Sequence, residues 1–237
     1  MGQECQLITH KVSTQQQGQA LAAELFMKAS NANPQSPVGL ATGGTMVGVY
    51  QQLVASGFKP RFAHAFALDE YHGISPTSKN SYLNELTNKF AEPLLWQGQL
   101  HAPGQGEYAT ESGNREFEQN LRELGPVSVQ LLGIGVNGHI AFNEPGSDFE
   151  SRTRKVALQE ETMRSNAIYF DDPATVPTHA NTQGLATIKQ AELLLLLVFG
   201  EHKKRALLKS LKSPDQTTPL AALIDHKNLV LVTDLAV

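Results

Sequence analysis

The sequence predicts an α/β fold, a single domain built on a mostly parallel sheet with helices on both faces. Three observations lead there. Short apolar runs alternate with segments whose apolar residues recur at helical spacing, and strands that are apolar throughout belong to parallel sheets covered by helices. No repeat, low-complexity tract or Pro/Gly/Ser linker divides the 237 residues, and that length suffices for one large core. The polar clusters stand at predicted strand ends, beyond which ligands bind in such sheets.

Val38 to Ala41 is the first predicted strand, followed at once by Thr42-Gly43-Gly44-Thr45. Met46, Val47, Val49, Tyr50, Leu53 and Val54 then recur at helical spacing, ending near Gly57. His64 to Leu68 is a second strand with Asp69 and Glu70 at its end. Ser81 to Leu95 reads as a helix, as does Ala109 to Leu124, stopped by Gly125-Pro126. Val127 to Ile134 is a third strand running into a glycine-rich turn, and Arg154 to Leu158 is a short strand candidate. A helical stretch closes at Gln190-Ala191 before the strand Leu193 to Phe199. The helix His202 to Leu211 and a last strand, Leu229 to Thr233, complete a modified Rossmann-like order.

Hydrophobic residues make up 41% and charged residues 18%, an ordinary globular composition. The net charge of −4 argues against nucleic acid or an anionic membrane as the main partner. A lone cysteine, Cys5, forms no internal disulfide, so nothing implies an oxidising compartment. Met1 to Gln6 lacks the pattern of a signal peptide, and Gln6 stands where myristoylation calls for Ser or Thr. The apolar run Leu193 to Phe199 is too short to span a bilayer.

Four clusters carry polar chemistry. Glycines in Thr42-Gly43-Gly44-Thr45 let the backbone approach a ligand, and the free N–H groups of a helix start attract an anion. The same residues also fit a plain βα turn with Thr45 as N-cap. No Lys-Ser/Thr follows the glycines, so this is not a Walker A loop. In Asp69-Glu70, adjacent residues of an extended chain point to opposite sides, so at most one faces a given pocket. That carboxylate serves as a general base if desolvation raises its pKa, and is otherwise a solvated loop acid.

The run Leu132 to Gly146 contains Gly-x-Gly-x-x-Gly, but Asn143, Pro145 and Gly146 interrupt any helix that a dinucleotide site would open. Within it Asn137, His139 and Glu144 surround a glycine-rich turn, and a histidine oriented by a carboxylate is an acid–base pair. The alternative is a structural histidine bonding the loop backbone. Lys203 opposes the macrodipole of the helix it opens, which suggests an anion nearby or a solvated charge beside Lys204 and Arg205. The eight histidines are scattered without metal-ligand spacing. No Gly-x-Ser-x-Gly elbow of a serine hydrolase occurs.

In order and spacing these clusters resemble the glucosamine-6-phosphate deaminase family, also called the glucosamine-6-phosphate isomerases. The resemblance rests on Gly39 to Thr45, Leu68-Asp69-Glu70-Tyr71 with Ser81-Tyr82, and Leu132 to Gly146. Ser151-Arg152-Thr153-Arg154 and Gly200 to Lys203 follow. The run Gly138 to Gly146 is the most specific of these. The resemblance implies that Asp69 moves a proton between C2 and C1 of the opened sugar. It implies that His139 serves ring opening with Asn137 and Glu144, and that Thr42, Gly43, Gly44, Thr45 and Lys203 hold the phosphate. Two differently placed acid–base groups meet both needs without a metal or cofactor.

Two positions depart from the family pattern. Asn137 stands where many members carry aspartate, and Ile168 where an arginine usually binds phosphate. If Glu161 to Tyr169 is helical, Arg164 lies about 6 Å from Ile168 on the same face. Its planar fork would then take over the phosphate contact. The alternative is that Arg164 is a solvated charge.

The implied reaction is conversion of glucosamine 6-phosphate to fructose 6-phosphate and ammonia, in cytoplasmic amino-sugar and N-acetylglucosamine catabolism. A 6-phosphogluconolactonase, a galactosamine-6-phosphate isomerase or a non-catalytic sugar-phosphate sensor are the competing readings. The Phe142-Asn143-Glu144-Pro145 run and Asp69-Glu70-Tyr71 favour the deaminase. The family's allosteric hexamers extend beyond the last strand, whereas this sequence ends at Val237, so a monomer is expected.

Overall fold

A computed structural model describes residues 7–104, 111–212, 215 and 217–237. Cys5 and the predicted helix start at Ala109 lie outside the described residues. The first half comprises β1 (Ile8–Lys11), α1 (Gln15–Ala32), β2 (Val38–Leu40), α2 (Gly44–Ala55), β3 (His64–Ala67), β4 (Asp69–Tyr71), α3 (Tyr82–Leu86) and β5 (Gln99–His101). Then come α4 (Glu111–Leu124), β6 (Gln130–Gly133), β7 (Arg154–Ala157), α5 (Glu160–Asn166), β8 (His179–Thr182), α6 (Leu185–Ile188), β9 (Leu194–Val198), α7 (Lys204–Lys212) and β10 (Leu229–Thr233).

Among the described residues seven strands form a parallel sheet in the order β1-β10-β9-β6-β2-β3-β5. All residues of β9 and β10 are buried, which their near-continuous Leu and Val demand. Among the helices, α1 starts on Thr14, whose side chain accepts from the Gln17 N–H, and packs on α2, β9 and β10. Phe26 of α1 meets Phe58, Phe62 and Phe90 edge-on at 6.3–6.5 Å and closes that layer. Among the described residues no helix is long and apolar enough to cross a membrane.

From β2 the chain moves outward to β3 and β5, then returns to β6 on the other side of β2 and continues outward to β9 and β10. The strand order therefore reverses between β2 and β6, where the loops beyond both carboxyl ends splay apart and leave a crevice.

A second sheet, β4-β8-β7, is antiparallel and was not apparent in the sequence. Asp69 and Glu70, expected at the end of the second strand, belong to a separate strand. Leu68 still donates to the Leu40 carbonyl at 3.1 Å, while Asp69, Glu70 and Tyr71 pair with Thr182, Asn181 and Ala180. The predicted helix Ser81 to Leu95 is shorter: Ser81 caps α3, a π-turn spans Thr87–Ala91, and Leu95 adopts a positive φ of 53°. At Thr42 to Thr45, Gly43 rather than Thr45 occupies the N-cap, with φ 98°.

Candidate active site

A cavity of about 840 Å³ occupies the crevice between β2 and β6, a size that suits a small ligand. Seven of the expected site residues line it: Thr42, Gly43, Gly44, Thr45, Asp69, His139 and Lys203. The loop after β2 is fixed from behind, because the buried Tyr50 hydroxyl donates to the Ala41 carbonyl at 2.6 Å. Gly43 then turns with a φ that side chains rarely adopt, and α2 begins at Gly44 with its first N–H groups free of helical partners.

Asp69 and Glu70 face opposite ways, as the alternation of an extended chain requires. Asp69 lines the cavity yet is only 8% exposed. Burial, helped by the charges of Glu70 and Glu85, pushes its carboxyl up to about 8. Glu70 turns away and accepts from Ser81 Oγ at 2.7 Å and from the N–H groups of Tyr71, Tyr82 and Leu83 at 2.8–3.1 Å. Burial raises its pKa as well, against the opposing pull of those four bonds. It anchors α3 to β4, a role that no local spacing revealed.

His139 stands on the loop after β6. Gly138 turns this loop with φ 94°, and Ala141 sits at φ 52°, a strained value for alanine. The strain is held by Asn143, whose Nδ2 donates to the carbonyls of Ile140 at 3.0 Å and Gln183 at 2.8 Å. The His139 ring lies against Gly135, where a Cβ would come within 2.2 Å of ring atom Cε1. Gly135 is therefore the floor on which the imidazole rests, a requirement that a Gly-x-Gly pattern does not distinguish from a turn.

Asn137 and Glu144 stand behind this histidine rather than in the cavity wall. Asn137 Oδ1 accepts the His139 backbone N–H at 3.1 Å, and its Nδ2 donates to Glu144 Oε2 at 2.8 Å. Thr162 of α5 donates to Glu144 Oε1 at 2.5 Å. His139 Nδ1 remains 3.8 Å from Glu144 Oε2 and is buried without a hydrogen bond. Burial holds its pKa below the ordinary imidazole range, Lys203 adds to that effect and Glu144 opposes it.

Lys203 occupies a short 3₁₀ turn, Glu201–Lys203, ahead of α7. Burial lowers its pKa. Tyr71, Tyr82, Phe142 and Phe170 line the same cavity and form an aromatic wall with ring centroids 4.9–5.9 Å apart. The Tyr82 hydroxyl donates to that of Tyr71 at 3.3 Å, and Asn166 donates to the Tyr71 hydroxyl at 2.9 Å.

Of the residues expected to bind phosphate, Arg164 is the one that does not line the cavity. Its side chain is 79% exposed and pairs with Glu160 at 2.9 Å. The helix presents Thr162 and Asn166 inward, four residues apart on one face. A residue two positions from each points away. The expected helix to Tyr169 ends at Asn166 and tightens into a 3₁₀ turn, Ala167–Tyr169, which leaves Ile168 78% exposed.

A family model described as glucosamine-6-phosphate isomerases/6-phosphogluconolactonase matches residues 11–232. The chain is 39% identical over 231 residues to the glucosamine-6-phosphate deaminase of Lysinibacillus sphaericus, covering 94% of this chain and 96% of that one. It is 38% identical over 221 residues to that of Staphylococcus epidermidis, covering 90% of each. Its fold superposes with a TM-score of 0.89 on a monomeric glucosamine-6-phosphate deaminase, 33% identical, over 96% of this chain and 97% of that one. A 6-phosphogluconolactonase from Thermotoga maritima shares the fold at a TM-score of 0.74 and 18% identity. With a match this long and relatives at this identity, the chain belongs to the glucosamine-6-phosphate isomerase/6-phosphogluconolactonase family.

Proposed function

We propose that the protein is a glucosamine-6-phosphate deaminase, converting its substrate to fructose 6-phosphate and ammonia. The observation that carries this reading is Asp69, a buried carboxyl with a pKa near 8 in a cavity shared with His139, the glycine loop and Lys203. The Thr42 to Thr45 loop and Lys203 hold the phosphate. Neutral His139 moves the proton of the anomeric hydroxyl to the ring oxygen, which opens the ring to the aldehyde. Asp69 then takes the C2 proton and delivers it to C1 while a proton passes from the nitrogen to O1, which leaves a hydroxyl at C1 and an imine at C2. Water adds there and ammonia departs. A base works best with a pKa near the working pH, and burial gives Asp69 that value. Lactone hydrolysis moves no proton between carbons and would leave this base without a task.

On the same reading the enzyme is a monomer of the cytoplasm, serving amino-sugar and N-acetylglucosamine catabolism. Likeness to a deaminase described as monomeric supports the first part. Ammonia release should be measured with glucosamine 6-phosphate and galactosamine 6-phosphate, beside hydrolysis of 6-phosphogluconolactone. The glucosamine compound should be turned over at least about tenfold more efficiently than its epimer, and the lactone not at all. Faster turnover of the lactone than of either amino sugar would refute the reading.

A further inference from the structure

One carboxylate in the cavity has no part in the reaction above. Glu85, on α3, lines the cavity and directs Oε1 at the Gly43 N–H, 3.2 Å away. That N–H belongs to the loop assigned to the phosphate, so a protein oxygen already sits where a phosphate oxygen would bind. Among the described residues no lysine, arginine or histidine nitrogen lies within 4.0 Å of the Glu85 carboxylate. A dianion entering the loop must therefore displace it, because two unscreened anions do not share one donor. Glu85 also acts on the charge of Asp69, so its carboxylate lies within electrostatic reach of the base as well as on the loop. A sugar phosphate held in this cavity carries hydroxyl donors that Glu85 can take up, whereas inorganic phosphate offers no sugar hydroxyl.

We propose that Glu85 is a specificity-determining residue: its carboxylate, seated on the Gly43 N–H, gives way to an entering phosphate and is transferred to hydroxyl donors of the sugar. A sugar phosphate then recovers the bond that its phosphate breaks, and a bare phosphate does not. This role rests on the assignment of the Thr42 to Thr45 loop to phosphate. Lys89 lines the same cavity four residues on from Glu85 and supplies a nearby cation for the rearranged carboxylate.

The test is calorimetric titration of wild type, Glu85→Gln and Glu85→Ala with inorganic phosphate and with fructose 6-phosphate. Without ammonia the latter binds and is not turned over. One hydrogen bond to a charged group corresponds to about a tenfold change in affinity. Both variants should bind inorganic phosphate about tenfold more tightly, while fructose 6-phosphate binds no better. A loop merely damaged by substitution would lose affinity, so the gain separates this role from a structural one. Unchanged or weaker phosphate binding in both variants overturns the proposal, and so does an equal gain for both ligands. Ammonia release by the wild type is measured separately. An active enzyme whose variants show no gain refutes Glu85 and leaves the reaction standing. An inactive wild type that binds phosphate but not fructose 6-phosphate refutes both.

Discussion

His139 Nδ1 lies 3.8 Å from Glu144 Oε2, beyond hydrogen-bond reach, because Asn137 already donates to that oxygen at 2.8 Å. The carboxylate is thus clamped between Asn137 and Thr162 and acts on the imidazole through space. Asparagine suits this position because its amide bonds two groups at once, the His139 backbone N–H and the Glu144 carboxylate. Asn137→Ala removes both bonds. We predict a fall in kcat of about 10- to 100-fold on the cyclic sugar. Proton exchange at C1 of the open-chain ketose phosphate should suffer much less. Equal losses in the two assays would show that Asn137 does not serve ring opening.

Asp69 couples activity to stability. Its carboxyl moves from an ordinary 3.8 to about 8 on folding, so between those values the folded chain holds the extra proton. Stability therefore declines as pH rises through that window and is lowest above 8. Asp69→Asn removes the decline. The variant should melt well above wild type at pH 8.5, by about 5 kcal/mol at most, and closer to it at pH 4.5. The same value sets the rate profile: wild-type kcat/KM should fall as pH drops below 8. A profile flat down to pH 5 would assign Asp69 an ordinary pKa.

Gly135→Ala tests the floor under the imidazole. The new Cβ would meet the His139 ring at 2.2–2.4 Å, so the ring must move. A misplaced catalytic group costs about 100-fold. We expect kcat to fall by about that factor while KM changes less than threefold on the same scale of effects. A crystal structure of the variant with the ring unmoved, together with normal turnover, would contradict the expectation.

Outside the cavity lining, His101 is buried, stacks on Phe66 at 4.4 Å and shares a 3.1 Å hydrogen bond with His64. Burial, with His64 adding to it, pushes its pKa down to about 4. Between 6.5 and 4 the unfolded chain binds the proton and the folded chain refuses it, so stability falls on acidification. The cost from pH 6.5 to 5 is about 2 kcal/mol. His101→Gln should show a shallower fall in Tm over that range than wild type, whatever its Tm at pH 7. An identical slope would place the acid sensitivity elsewhere.

Parts of this arrangement were legible in the sequence for physical reasons. Strands such as Leu194–Val198, buried on both faces, must be apolar throughout, and the opposed directions of Asp69 and Glu70 follow from backbone geometry alone. The small antiparallel sheet was legible only in its edge strand Arg154–Ala157. Its central strand, His179–Thr182, is polar, and Asn181 and Thr182 are buried through hydrogen bonds that local pattern does not encode. The edge strands Ile8–Lys11 and Gln99–His101 were missed because short edges carry little apolar signal. Arg164 was placed on the correct helix and the wrong face, since sequence spacing does not show where Thr162 finds Glu144.

Ammonia release from glucosamine 6-phosphate, by wild type and Asp69→Asn at pH 8.5 with substrate affinity measured in parallel, bears most directly on the proposed chemistry. Wild type should release one ammonia per fructose 6-phosphate formed. Asp69→Asn should bind the sugar with near-normal affinity and turn it over at least about 100-fold more slowly. A wild type that binds the sugar and releases no ammonia, or a variant with near-normal turnover, would contradict the assignment.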